Sequence, residues 1–132
     1  MSILDHVSIT VSDYERSKRF YAAALAPLGV RMIMEFGSAC GFGRREKPDF
    51  WIGDGPATYQ QPAQLARITP VHVAFAVGSR ADVDAFWAAA TAAGGRDFGR
   101  PGVRPEYHPT YYGAFVLDPD GHNVEAVCHT EG

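Results

Sequence analysis

His6-Val7 recurs as His72-Val73, 66 residues later, in a chain of 132. The repeat runs without a gap: residues 6–29 read HVSITVSDYERSKRFYAAALAPLG and residues 72–95 read HVAFAVGSRADVDAFWAAATAAGG. Nine of those 24 positions are identical, and Tyr21/Trp87 and Ile9/Phe75 match in character. Alanines coincide cheaply, but a His-Val start and an aromatic pair at the same offset do not. Solenoids need three or more units. Two units of 66 residues instead imply a duplicated module with pseudo-twofold symmetry. A chain of this size supports one real core and has no room for a separate cofactor domain. Residues 1–132 therefore read as a single domain, with a first module over 1–60 and a second over 70–132.

Each repeat opens with period-2 alternation. Val7, Ile9 and Val11 share a face opposite His6, Ser8 and Thr10; Val71, Val73, Phe75 and Val77 share a face opposite His72, Ala74 and Ala76. That is a strand with one apolar side. The period then becomes helical, through Tyr14, Ser17, Phe20, Tyr21, Ala24, Leu25 and Leu28, and through Val83, Phe86, Trp87 and Ala90. Ser12-x-x-Glu15 and Ser79-x-x-Asp82 resemble capping boxes, and Gly29 and Gly94-Gly95 close the helices. Short strands follow at Arg31–Phe36, Ala39–Arg44 and Asp49–Ile52, then near Arg96–Phe98, at Tyr112–Leu117 and at Asn123–His129. Asp118-Pro119-Asp120-Gly121 supplies a hairpin turn between the last two. Gln60–Gln64 links the halves, and the proline-bearing Gly99–Pro109 stretch reads as a long loop of the kind that lids binding sites. The fold class is α+β: two tandem βαβββ modules forming a cupped mixed sheet with helices on the outer face.

Composition narrows the function classes. Apolar residues make up 46% and charged residues 20% of the chain, which is globular rather than disordered or coiled-coil. No apolar run approaches the ~20 residues of a membrane span, so no membrane role is expected. The formal charge is −3 and the basic residues are scattered, so no nucleic-acid partner is expected either. Cys40 and Cys128 form no C-x-x-C pair and read as small buried hydrophobes of a reduced protein. The first residues show neither a basic nor an apolar leader segment, and the expected location is cytoplasmic.

If the apolar strand faces pack on the helices, the opposite faces form a common surface. His6 and His72 sit at equivalent steps of the two opening strands, and the last strand adds Asn123, Glu125, Val127 and His129 to that side. Two imidazoles and a carboxylate suit a borderline divalent ion, Fe(II), Mn(II) or Zn(II). Small Ala74 and Ala76 beside His72 leave room for a ligand. His108, within Tyr107-His108-Pro109-Thr110-Tyr111-Tyr112, is the best candidate acid–base group, with the phenols of Tyr111 and Tyr112 as candidate catalytic neighbours. Glu35 is a weaker candidate. His122 sits in a tight turn and reads as exposed, His129 lies near the chain end, and Trp51, Trp87, Phe20 and Tyr21 read as core.

Leu4-Asp5-His6-Val7, Phe20-Tyr21, His72-Val73-Ala74-Phe75 and Asp118-Pro119-Asp120-Gly121-His122-Asn123-Val124-Glu125 together resemble the vicinal oxygen chelate superfamily, the glyoxalase, bleomycin-resistance and extradiol-dioxygenase relatives. The resemblance covers the whole chain. It implies a metal inside the cup, with His6, His72 and Glu125 as ligands, and a small-molecule substrate held through adjacent oxygens. Lyase or isomerase chemistry and ring-cleaving dioxygenase chemistry are the reaction types it implies; a homodimer is among the assemblies. The alternative it implies is a metal-free protein of the bleomycin-resistance type that sequesters a small molecule or antibiotic. Glyoxalase-type relatives draw a fourth ligand from the last strand of the first module, and Phe50-Trp51-Ile52-Gly53 carries no such side chain. Dioxygenase relatives place an acid–base His shortly before the second metal His, and residues 54–71 contain none.

Overall fold

The computed structural model describes residues 2–65 and 67–131. The first half forms β1 (Val7–Thr10), α1 (Tyr14–Leu25), a 3-10 turn at Ala26–Leu28, β2 (Arg31–Phe36), β3 (Ala39–Gly43) and β4 (Phe50–Gly53). A single helical turn, α2 (Pro62–Leu65), follows in the connection. The second half forms β5 (His72–Ala76), α3 (Arg80–Ala92), β6 (Arg96–Val103), β7 (Tyr112–Leu117) and β8 (Asn123–Cys128). The strands make two four-stranded sheets, ordered β1-β4-β3-β2 and β5-β8-β7-β6. In each, the opening strand lies parallel to the last one and the remaining pairs are antiparallel. The duplicated sequence thus becomes a duplicated sheet.

Both helices pack on one side of the sheets and touch each other. The residues at helical spacing make that core: Tyr14, Phe20, Tyr21, Ala24, Leu25 and Leu28 from the first half, and Val83, Phe86 and Ala90 from the second, are all buried. Val124, Ala126 and Cys128 of β8 meet them from the sheet, and both free cysteines are buried. The cap of α3 is Ser79, whose side chain accepts from the Asp82 amide. The cap of α1 is Asp13, not Ser12: Asp13 accepts from the Arg16 amide at 3.1 Å. Ser12 instead uses its amide and hydroxyl on Asp120 of the other half, a contact the local pattern does not contain. Gly29, at φ 72°, adopts the left-handed conformation that ends the first helical segment. The Gly99–Pro109 stretch is not wholly loop, because β6 runs on to Val103 through two irregularities in its pairing with β7.

β1 and β5 face each other across the seam between the two sheets and run in opposite directions. The His6 end of β1 shares a cavity with Val73–Ala76, while Thr10 at the other end meets His122, beside Val71. His122 is the clamp at this seam. It is 1% exposed rather than solvated, because its Nδ1 accepts from the Val71 amide at 3.0 Å and its Nε2 donates to the Thr10 carbonyl at 2.8 Å. Asp118 braces the same turn, accepting from the His122 amide at 2.9 Å and from the buried Tyr21 hydroxyl at 2.5 Å. Replacing His122 by Ala empties a buried imidazole site and leaves the part-buried Val71 amide and Thr10 carbonyl without their partner. Urea unfolding should show a loss of about 3 kcal/mol.

Candidate functional site

With the helices on one side, the opposite face of each sheet is free to hold a ligand. On the second sheet the register fixes which side chains share that inner face. β5 and β8 pair His72 with Asn123 and Ala74 with Glu125, and β8 and β7 pair Glu125 with Phe115. His72 donates from Nε2 to Glu125 Oε1 at 2.8 Å. The Tyr111 hydroxyl donates to the other carboxylate oxygen, Oε2. The Glu125 carboxylate is fully buried while half of the His72 side chain is exposed, so the imidazole forms the outer wall and the carboxylate the floor. Gly113 allows this crowding, since a Cβ there would lie 3.1 Å from both Glu125 Oε2 and the Tyr111 ring. Burial and then the bond to Glu125 raise the Tyr111 phenol pKa well above its ordinary value, so it remains a donor across the neutral range. Asn123 Oδ1, two residues before Glu125 on the same face, is buried without a hydrogen-bond partner.

The other sequence candidates fall elsewhere. His6 does not join His72 and Glu125 within one chain. Because β1 and β5 run in opposite directions, equivalent steps on them lie at opposite ends of the seam, on the order of 13 Å apart for four residues of strand rise. His6 Nδ1 lies 2.7 Å from Asp5 Oδ1, and that contact, followed by Lys47, lowers the Asp5 pKa. Tyr112, one residue beyond Tyr111, points to the helix side, donating to Asp84 at 2.6 Å under the Arg80 guanidinium. His108 is exposed and its Nδ1 accepts from the Thr110 amide at 3.2 Å. It reaches the site only through rings: its centroid is 6.3 Å from that of His129, which is 5.2 Å from that of Tyr111. Glu35 lies on the helix side, accepting from Tyr14 at 2.5 Å and Lys18 at 2.7 Å.

An imidazole Nε2 and a carboxylate Oε1 at 2.8 Å fit two neighbouring positions around a divalent ion. Among the described residues no group of three or more His, Cys, Asp or Glu side chains is arranged to hold a metal. One chain brings together two such donors, His72 and Glu125. The β4 stretch supplies no further donor: Trp51 lies on the inner face of the first sheet and stacks on Phe36 at 6.1 Å rather than filling the core. Those two rings line a cavity of about 340 Å³ with Ser8, Thr10, Ser38 and Gln60.

Two features of the second sheet escaped the sequence reading. Phe115 lies beside Glu125, with its ring 6.0 Å from that of His72. Arg104, inside the stretch read as loop, lies over Phe115. The usable signal was the strand register, since carrying β6 to Val103 opposite Tyr112 puts Arg104 next to Tyr111.

Comparison with known proteins agrees with this architecture. A family model described as Glyoxalase/Bleomycin resistance protein/Dioxygenase superfamily matches residues 3–126. A glyoxalase/bleomycin resistance protein from Albidiferax ferrireducens is 32% identical, with 96% of this chain and 99% of that chain covered and a TM-score of 0.80. A glyoxalase/bleomycin resistance protein/dioxygenase family enzyme from Burkholderia phytofirmans is 19% identical, covers 98% and 100% of the two chains and has a TM-score of 0.70. TioX from Micromonospora is 18% identical over 98% and 100%, with a TM-score of 0.69. The latter two likenesses show the fold alone. No curated protein sequence matches the chain. In the second half no helix among the described residues, as in the first, is long and apolar enough to cross a membrane. The chain belongs to the Glyoxalase/Bleomycin resistance protein/Dioxygenase superfamily.

Proposed function

We propose that this protein is a divalent-metal enzyme of the vicinal oxygen chelate type, acting on a small molecule through adjacent oxygens. Its metal site forms between two copies of the chain. The observation that carries the proposal is the His72–Glu125 pair: two metal-type donors aimed at one point, with Tyr111 fixing the carboxylate from behind. Such backing interactions orient a ligating carboxylate and are a recurrent part of metal sites. The third ligand in this reading is His6 of a second copy. The inner face of the first sheet exposes Met34 and Phe36 at 42% and 66%, and on that of the second the His72 side chain is half exposed. A single twofold that lays the first sheet of one copy over the second sheet of the other covers both faces at once, as closed dimers do. The internal pseudo-symmetry, with His6 and His72 at the same step of equivalent strands, then sets His6 opposite the partner copy's half-site.

A divalent ion in such a site supplies Lewis acidity toward substrate oxygens. The chain's own residues do the rest. Glu125 and His72 hold the position, Tyr111 keeps a proton at the Oε2 side, and Phe115 with Ala74 shapes an apolar wall. The buried, unpaired thiols of Cys40 and Cys128 support a reducing, cytoplasmic setting.

A second reading has its own observation. His72, Glu125 and Tyr111 satisfy one another in a single chain, and the Phe36–Trp51 cavity is free of acidic and basic side chains. Both features favour metal-free capture of a flat, uncharged small molecule. Elemental analysis combined with sedimentation separates the two. The enzyme reading expects a dimer with one metal ion per chain, and loss of the metal in His72→Ala; a metal-free protein, or undiminished metal in that variant, would sink it.

A further inference from the structure

We propose that Arg104 is the anchor for a carboxylate on the substrate, so that the ligands of this site are small organic carboxylates carrying a neighbouring oxygen. The inference rests on the reading that the inner face of the second sheet is the binding face. Arg104 stands at the end of β6, and its amide donates to the Tyr111 carbonyl at 2.7 Å. The two residues are therefore cross-strand neighbours, and since Tyr112 opposite Val103 turns to the helices, Tyr111 and Arg104 turn the other way together.

The guanidinium is held in place. It lies 5.5 Å above the Phe115 ring, and Nη2 donates to the Arg100 carbonyl at 2.6 Å. Two glycines make its seat: a Cβ at Gly99 or Gly102 would come within 3.2 or 3.0 Å of the guanidinium nitrogens. A solvated arginine needs none of this. Among the described residues it pairs with no carboxylate. Glu125 on the same face is turned to His72 and Tyr111, which donate to its two oxygens, and makes no ion pair with Arg104. A fixed, unneutralised guanidinium with donors left over recognises a planar anion, and a carboxylate matches its fork in two parallel hydrogen bonds. Holding it in advance removes most of the ordering cost of binding. A carboxylate on Arg104 would direct the adjacent oxygen of the same molecule toward His72 and Glu125.

The test is calorimetric binding of mandelate, which has a carboxylate beside a hydroxyl, against its uncharged amide. Both are titrated into the full-length protein, as purified and after loading with Zn(II). Mandelate should bind at least about tenfold more tightly than the amide. Arg104→Gln should erase that difference, through loss of mandelate affinity, while leaving metal content unchanged. Arg104→Lys should recover only part of it, because an ammonium lacks the planar fork. Equal binding of the two probes, no mandelate binding at millimolar concentration, or a preference that survives in Arg104→Gln overturns the proposal. Circular dichroism of both variants guards against misfolding. The metal reading fails separately: a metal-free protein that still prefers mandelate through Arg104 leaves the carboxylate anchor standing, and a metal-loaded protein without the preference removes it.

Discussion

Neither His6→Ala nor His72→Ala protein should retain stoichiometric metal alone, yet mixing the two after mild dissociation should restore part of it. In a mixed dimer one site combines both substitutions and is empty, while the other combines His6 of one chain with His72 and Glu125 of the other. Random pairing makes half of the dimers mixed, so about a quarter of the wild-type sites return. The measurement is metal content of the dimer peak from gel filtration, before and after mixing. The reason to expect so large an effect is geometric. Within one chain His72 Nε2 and Glu125 Oε1 are 2.8 Å apart, and no group of three donors exists among the described residues. Two protein ligands bind a divalent ion weakly, and the third decides occupancy. If the site were completed within a chain by a local rearrangement of β1, mixing would restore nothing, and the between-copies assembly would be wrong.

Much of this was readable before any coordinates because the duplication repeats the signal. The alternation in β1 and β5, the helical spacing through Phe20-Tyr21 and Phe86-Trp87, and the turn before β8 each fix a local period, and local periods survive folding. The face shared by His72 and Glu125 was equally legible, since both lie on strands whose alternation leaves one side apolar. His6 lies apart from His72 within one chain for one reason: sequence symmetry specifies equivalent positions but not the direction of the operator relating them. Parallel packing of β1 and β5 would have joined the two histidines, and antiparallel packing separates them. His122 and Asp118 were hidden because their partners, Thr10 and Tyr21, lie 112 and 97 residues away. Arg104 was hidden by its prolines and glycines, which read as loop but leave β6 long enough to aim it.

Tyr111→Phe should lower metal affinity by about 10- to 100-fold and destabilise the protein by about 1–3 kcal/mol, although it deletes a single oxygen. The phenol is the donor to Glu125 Oε2, and the Glu125 side chain is 1% exposed, so water cannot take its place. The aromatic ring remains, still packed 5.0 Å from Tyr107 and 5.2 Å from His129, which isolates the hydrogen bond from the packing. Chelator competition reads the first effect and urea unfolding the second. Burial and the Glu125 bond raise the phenol pKa above 10.0, so the stabilisation is complete below that pH and is lost as pH rises through the folded value. The stability difference between wild type and Tyr111→Phe should therefore be flat through neutrality and shrink only in strong alkali. Tyr112→Phe is the matched control. Its hydroxyl donates to Asp84 on the helix side, in an exposed bond, so stability should change by about 0.5 kcal/mol or less and metal affinity not at all. A comparable metal defect in both variants would mean that the phenols act through general softening of β7, and Tyr111 would lose its assigned role.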